Sequence, residues 1–557
     1  MRLSVIVLIT LLFFCSDFVF GQTHFGKGTD QYGVFLNSLK KQLTESEYRK
    51  TLHFGGKRRN QFVQWIRDNV HVMKAMKYME PEISSFWEFF MENQTKEGLY
   101  FDYYYPIAEP VNHRMNLFEK RYWKILSRDS IQMHRLPVEA DLEYLMVEGA
   151  YYIWQSTGDD NYIKKWLPNL EKGLNYIMTD PLRWSARFQL AKRGYTLDTW
   201  DFMQLPTSRE EYKKQGFDVQ NGIFNIDEKT PMGIMHGDNS GLYAACMQLS
   251  AIYSASNNQD KVNFWKEKGE AIRQWANQLC WNGEYYAHFI EDDPSPAYLK
   301  IDHRHTLSLS NPYDINRGLP TQEMAQSIIA NYQKLKGNNV ENAFAEWFGV
   351  YPPVEPDFAG YKPGSYMNGG VNTIVGGELA KAAFQHGYEQ YGVDILERMI
   401  ELNTKHGDKL PVSYTPEGKV DAGIPDNWGQ AAIMSAMIEG LAGVIDKGQL
   451  FDKVEIAPRW LAAGKNTAEV RVEYGPTKKN VSYTFNHDMK AKTINLMLAG
   501  SPSNYAIKLL LPDYKQIKSV KINKKTVAFS IDKVRNSQYL VLMDIMDITP
   551  LIEVRYK

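Results

Sequence analysis

The chain has 557 residues, of which 44% are apolar, 13% aromatic and 23% charged; these are globular proportions that exclude an extended disordered protein and exceed one ordinary domain. Formal net charge is −1, but residues 451–557 hold 18 Lys and Arg against 10 Asp and Glu, which makes that segment +8 and the remainder −9. An acidic main body argues against a nucleic-acid ligand, which needs clustered cations, and the basic segment reads as a solvated Lys-rich surface rather than a polyanion site.

The first stretch, "MRLSVIVLITLLFFCSDFVFGQ", has one Arg ahead of an apolar core and small Gly21 before Gln22. It reads as a secretory signal peptide over residues 1–21, too short to span a membrane with proper flanks. The "FF" before Cys15 lacks the small residues of a lipoprotein site, which argues against a lipid anchor. Secretion or a periplasmic location is the expectation. Cys246 and Cys280 then remain; a single disulfide and two buried thiols are both open, and no metal-type Cys spacing exists.

From about residue 30 to 446 the chain reads as helices in pairs. "NQFVQWIRDNVHVMKAMKYM" precedes "EISSFWEFFMENQT", and "EADLEYLMVEGAYYIWQ" precedes "TGDDNYIKKWLPNLEKGLNYI". In the third of these, Leu142, Leu145, Met146, Ala150 and Ile153 fall on one helical face. The rhythm recurs in "NSGLYAACMQLSAIYSA" and "QDKVNFWKEKGEAIRQWANQLC", then in "TQEMAQSIIANYQKLK", "GGELAKAAFQHG", "GVDILERMIELNTKHG" and "WGQAAIMSAMIEGLAGVI". Loops of unequal length, rich in Asp, His, Trp, Tyr, Gly and Pro, separate the pairs. Paired helices with chemistry in their connections predict a mainly α fold, an (α/α)6 toroid of six helical hairpins with its loops gathered at one end. A superhelical repeat array competes, but no fixed period is present. After Val444, short alternating segments such as "AEVRVEY", "NVSYTFN" and "QYLVLMDI" predict a C-terminal antiparallel β-sandwich. The expected division is residues 22–446 for the helical domain and 447–557 for the sandwich.

Two loops carry carboxylates suited to acid–base work. In "TLDTWDF" Asp201 follows Trp200; an aromatic neighbour over a cleft desolvates a carboxyl and raises its pKa toward that of a general acid. The alternative for this loop is an Asp that caps a helix or bonds its own backbone. In "SYTPEGKVDAGIPDNWGQAAIM", Glu417 lies on a Pro-Gly loop before a helix, with Asp421 and Asp426 nearby; a solvated Glu is the competing reading. Glycoside hydrolysis needs two carboxylates across the scissile bond, and they need not be close in sequence. "HRH" sets His303 and His305 two apart, but no Cys or Glu completes a metal set. The tyrosines of "GLYFDYYYP" (Tyr100 and Tyr103 to Tyr105) suit either sugar stacking or the core. Rossmann, P-loop and Ser-elbow signatures are absent, so no nucleotide or other cofactor is expected.

The order of these loops resembles that of six-hairpin glycosidases, with the amylo-α-1,6-glucosidase domain of debranching enzymes nearest and neutral invertases, trehalases and glucoamylases further off. "WIRDN" resembles an early Arg-Asp loop that binds the terminal sugar, which implies that role for Arg67 and Asp68. "EADLEYL…STGDDNYI" resembles the family's acidic residue ahead of an aromatic helix, which implies Asp141 at the cleft rim. "DTWDF" resembles loops whose last Asp is the general acid, mapping onto Asp201, and "YTPEGKVDAG…NWGQ" a loop whose Glu is the catalytic base, mapping onto Glu417. "GSYMNGGVNTIV" resembles a "YHNGG" loop and adds Tyr366 and Asn368. "HGDNSGLYAACMQ" is a reduced form of another motif and adds Asp238. Trp200 and Trp428 complete the implied sugar subsite. Asn372 and Thr373 stand where the family has Trp, and with the reduced "HGDNSGLYAACMQ" motif this departure leaves the sugar specificity open.

The resemblance covers roughly residues 55–460 and implies an exo-acting, inverting glycoside hydrolase with an oligosaccharide substrate. Two alternatives stand beside it. One is a polysaccharide lyase or unsaturated-uronide hydrolase on the same barrel, against which the acidic body weighs. The other is a catalytically silent glycan-binding protein.

Overall fold

The computed structural model describes residues 22–108, 119–196, 226, 230, 232–292, 301–355, 358, 361–421, 427–512 and 516–557. Twelve α-helices are present among them: α1 (Gln31–Thr44), α2 (Ile66–Met76), α3 (Ser85–Glu92), α4 (Leu142–Thr157), α5 (Asp160–Thr179), α6 (His236–Ala255), α7 (Gln259–Cys280), α8 (Ser310–Arg317), α9 (Gln322–Gly337), α10 (Thr373–Gln385), α11 (Glu389–Lys405) and α12 (Trp428–Ser435). The chain continues from α12 as a π-helical turn over Ala436–Leu441. No helix among the described residues is long and apolar enough to cross a membrane.

The helix contacts close into a cycle. α2 packs on α4, α4 on α6, α6 on α8, α8 on α10, α10 on α12, and α12 returns to α2. Each of these six has a second helix against it: α3, α5, α7, α9, α11 and, for α12, the chain's first helix α1. Composition separates the two sets. Every residue of α12 is buried, whereas α7 buries only Trp265, Gly269, Ile272, Ala276 and Cys280, one stripe at helical spacing. The turns between partners follow capping chemistry. Gly158 ends α4 in the left-handed conformation, and the Asp159 side chain accepts from the Tyr162 N–H at 2.9 Å to start α5. Close approach inside the cycle needs a missing side chain: a Cβ on Gly377 of α10 would stand 2.7 Å from the Ile433 backbone nitrogen of α12.

The predicted helices are present, with ends shifted by a few residues. Two were not singled out in the sequence, α1 and α8. The β-elements of the helical body were also missed: a hairpin of Lys50–Phe54 with Lys57–Gln61, and a three-stranded sheet of Tyr103–Pro106, Trp123–Leu126 and Ile131–His134.

From Val444 onward two sheets dominate. One is five-stranded, in the order 444–446, 453–456, 504–510, 537–545, 530–534; the other is seven-stranded, in the order 24–25, 467–473, 480–488, 493–500, 551–556, 517–522, 525–526. Alternate residues such as Val481, Tyr483 and Phe485 are buried, the period of a half-covered sheet. Pairing is antiparallel with one correction to the expectation: Lys453–Ile456 runs parallel to Asn504–Ile507, which places the two strands on separate arms of the chain. The seventh strand comes from the N-terminal side, His24–Phe25 on Val470–Arg471. The sheets are bonded to the helical body: Tyr483 Oη donates to the Ala442 carbonyl at 2.8 Å and Ser537 Oγ to Glu389 Oε2 of α11 at 2.6 Å.

Candidate active site

Five of the ten predicted residues lie in, or just ahead of, the first turns of the cycle helices. Arg67 lies one residue into α2, Asp141 is the residue before α4, Asp238 is in the first turn of α6 and Trp428 opens α12. Asp68 is half-buried beside Arg67.

Arg67 and Asp141 face each other. The Arg67 Nε donates to Asp141 Oδ2 at 2.7 Å and Nη2 to Oδ1 at 3.1 Å. Glu139 Oε1 stands 3.4 Å and Asp102 Oδ2 3.8 Å from the same guanidinium. Burial raises the Asp141 carboxyl, but the Arg67 charge and hydrogen bonds more than offset it, so Asp141 sits below its ordinary range. Asp102 goes the other way: burial outweighs Arg67, and its pKa is raised. Asp238 accepts from Tyr144 Oη at 3.2 Å and from Arg193 Nη1 at 3.3 Å.

Trp428 is 1% exposed. Its ring stacks on His71 with centroids 3.8 Å apart and planes 12° from parallel, and its Nε1 donates to the Tyr313 hydroxyl. Burial, and then the charges of Lys74, Arg317 and Arg67, hold His71 well below its ordinary pKa, so the imidazole is neutral at pH 7. Its Nδ1 is buried with no hydrogen-bond partner among the described residues.

The loops carrying Tyr366, Asn368 and Glu417 meet. Val371 and Asn372 pair with Tyr414 and Ser413, and Asp421 Oδ2 accepts from the Tyr366 N–H at 2.5 Å and the Ser365 hydroxyl at 3.0 Å. Tyr366 adopts φ 50° here. Asn368 is spent on the loop itself: Nδ2 donates to the Val354 and Tyr361 carbonyls, each at 2.9 Å, and Oδ1 accepts from the Val354 N–H at 2.7 Å. These three hydrogen bonds fix the course of the loop. Glu417 is exposed on its turn and accepts from Thr415 Oγ1 at 2.6 Å. That hydrogen bond, with one from its own backbone, lowers its pKa, so the carboxylate is ionised near neutrality. Asp201 and Trp200 lie outside the described residues.

Other sequence candidates resolve as structure. His303 turns inward among Tyr195 and His288, whereas His305 points outward to Asp302 at 2.8 Å. Among the described residues no three His, Cys, Asp or Glu side chains gather into a metal-holding group. Tyr100 and Tyr104 are buried and donate to Asn169 and Gln61. Cys246 and Cys280 are buried free thiols, the first pushed up to about 12 by burial. The residues that sequence reasoning missed are His71, Tyr144, Glu139 and Arg193. His71 falls one turn below Arg67 on α2, and Arg193 stands just ahead of the "TLDTWDF" loop; both positions were legible.

No protein-family model matches the sequence, and no curated protein is significantly similar to it. The fold is similar to that of the α-L-rhamnosidase from Dictyoglumus thermophilum, with a TM-score of 0.55 and 10% identity over 96% of this chain and 51% of that one. It is similar as well to a GH78 family rhamnosidase of Bacillus sp. GL1, with a TM-score of 0.54 and 12% identity over 88% of this chain and 43% of that one. A GH63 mannosylglycerate hydrolase from Thermus thermophilus aligns over 72% of this chain and 99% of that one, with a TM-score of 0.45 and 13% identity. The chain spans about half the length of the two rhamnosidases it resembles, and its fold is one found in glycoside hydrolases.

Proposed function

We propose that the chain is a secreted glycoside hydrolase built on a six-hairpin (α/α)6 toroid, with a signal peptide at 1–21, a catalytic domain at 22–446 and a β-sandwich at 447–557 that also takes in the strands 24–25 and 444–446. One observation carries this reading. Four of the six cycle helices hold Arg67, Asp141, Asp238 and Trp428 in or beside their first turns, and the sequence segments of Asp201 and Glu417 lead into two of those helices, α6 and α12. Asp201 is the general acid that protonates the glycosidic oxygen, and Glu417 the base that activates water from the opposite face. The depressed pKa of Glu417 suits a base, which must be ionised to accept the proton. The substrate is an oligosaccharide attacked from its end, with inversion, for which the carboxyls stand roughly 6.5–9.5 Å apart. The resemblance of its loop motifs to debranching-type amylo-α-1,6-glucosidases supports this reading.

The test is a panel of aryl glycosides and oligosaccharides read by released monosaccharide, with the anomer of the first product followed by NMR. Turnover is expected, and it disappears in Asp201→Asn and in Glu417→Gln. A retained anomer sinks the inverting assignment. One observation favours a second reading, a glycan-binding protein without turnover: Glu417 is open to solvent, with no wall of described residues around it. Oligosaccharide binding with no monosaccharide released from any panel member selects that reading.

A further inference from the structure

One end of the β-sandwich is apolar and open to solvent. Met546 and Ile548 are each 75% exposed, Met543 64%, Met497 53%, Ile531 41% and Phe529 40%. Strand register brings the six together. Met497 pairs with Leu551, the first residue of the last strand, and the connection entering that strand from Ile545 carries Met546 and Ile548. The Pro550 carbonyl of this connection accepts from the Leu498 N–H at 3.0 Å. Ser530, between Phe529 and Ile531, pairs with Val541, two residues before Met543.

Local backbone explains the exposure. The register of 537–545 on 504–510 slips at Met543 and Asp544, where Asp544 adopts φ 56°, and a bulge of this kind re-aims side chains. The strand 530–534 is an edge of the five-stranded sheet, so Phe529 and Ile531 have no further strand to cover them. At roughly 200 Å² for a whole residue of this size, the six leave about 700 Å² exposed. The largest apolar patch of an ordinary monomer is about 300–600 Å², and a standard interface takes about 800 Å² from each partner.

The rim carries both signs of charge. Lys524 and Lys525 are exposed beside Asn523, whose N–H donates to the Leu551 carbonyl at 2.9 Å. Asp544 and Asp547 are exposed among the methionines. An anionic surface would meet the two aspartates, and a cationic one the two lysines. A second copy of the patch, turned about a twofold axis, sets lysines against aspartates and apolar surface against apolar surface, because an isologous contact must be self-complementary. Unbranched methionines fill the irregular gaps of such a contact.

We propose that this end of the sandwich is a twofold interface between two copies of the chain. The proposal does not depend on the chain being a hydrolase. The experiment is sedimentation velocity on the full chain at about 1–100 µM, a range that brackets a dissociation constant of about 10 µM. Four proteins are compared: the native chain, Met546→Lys/Ile548→Lys, Lys524→Glu/Lys525→Glu and Val34→Lys. Val34 of α1 is 72% exposed and outside the patch. The native chain and Val34→Lys are expected to dimerise alike, and both patch variants to stay monomeric throughout. Circular dichroism checks that each is folded; if one patch variant is not, the other decides. A native chain that is monomeric at the highest concentration overturns the proposal, as does a dimer that survives in a folded patch variant. Loss of the dimer in Val34→Lys also overturns it, by placing the contact on α1. A native chain that stays monomeric but floats with phosphatidylglycerol vesicles overturns it in favour of a lipid surface.

Discussion

Arg67 and Asp141, 74 residues apart, are joined by two hydrogen bonds of 2.7 and 3.1 Å, and only 5% and 1% of their surfaces reach solvent. With Glu139 and Asp102 around the same guanidinium, one cation holds three carboxyls. Arg67→Met leaves those carboxyls facing one another, and the expected loss of stability is about 3–5 kcal/mol. Asp141→Asn costs less, since it also removes a negative charge. Urea denaturation of both variants checks the order; equal losses would show that Arg67 does not anchor the cluster.

His71 ties stability to pH. Its folded pKa is depressed, first by burial, so the unfolded chain takes up a proton that the folded chain refuses. Stability from this group is fully present above the unfolded value of about 6.5 and is lost as pH falls below it. Melting temperatures measured from pH 7.5 down to 5 should decline in the native chain and decline less in His71→Phe. Parallel curves would count against it.

Gly377→Ala tests the closeness of α10 and α12. The added Cβ meets backbone on the facing helix at 2.7–2.8 Å, so the helices must part. Overpacking of this kind costs about 1–3 kcal/mol. A melting temperature equal to the native one would mean that the two helices separate without penalty.

Glu417→Gln separates chemistry from folding. The side chain is exposed and bonds to the Thr415 hydroxyl within its own turn, so stability should change by no more than about 0.5 kcal/mol while monosaccharide release stops. Continued release at the native rate removes Glu417 from the base role.

The thiols of Cys246 and Cys280 are buried and unpaired. Ellman's reagent should find neither in the native protein and both in guanidinium without reductant. Failure of the pair to react after denaturation would reveal a disulfide.

Helices with an amphipathic stripe were legible in the sequence, since a stripe such as Trp265, Ile272 and Ala276 imposes the period by itself. α8, "SNPYDINR", has only eight residues, too few to repeat a stripe, and tertiary packing buries polar Ser310, Asn311 and Asp314 in it along with Tyr313 and Ile315. The strands Tyr103–Pro106 and Ile131–His134 were hidden because each is only four residues long, and the first, three tyrosines and a proline, has no alternation. At the site, motif order brought out Arg67, Asp141 and Asp238 but assigned each to a sugar. Their partners in the fold, Arg193 and Tyr144 among them, depend on three-dimensional proximity that spacing does not encode. Asn368 shows the converse, a motif residue whose three hydrogen bonds are all turned to its own loop.

The strand at His24–Phe25 has a kinetic consequence. Thr23 Oγ1 donates to the carbonyl of Glu473, 450 residues further along, at 3.1 Å. Synthesis proceeds at about 5–20 residues per second, so the early segment emerges from the ribosome about 20–90 s before its partner. For that interval the edge has nothing to zip against, and every helix of the cycle has been made before the first strand finds its neighbour. The first strand made is thus seated only after the whole helical body has been synthesised.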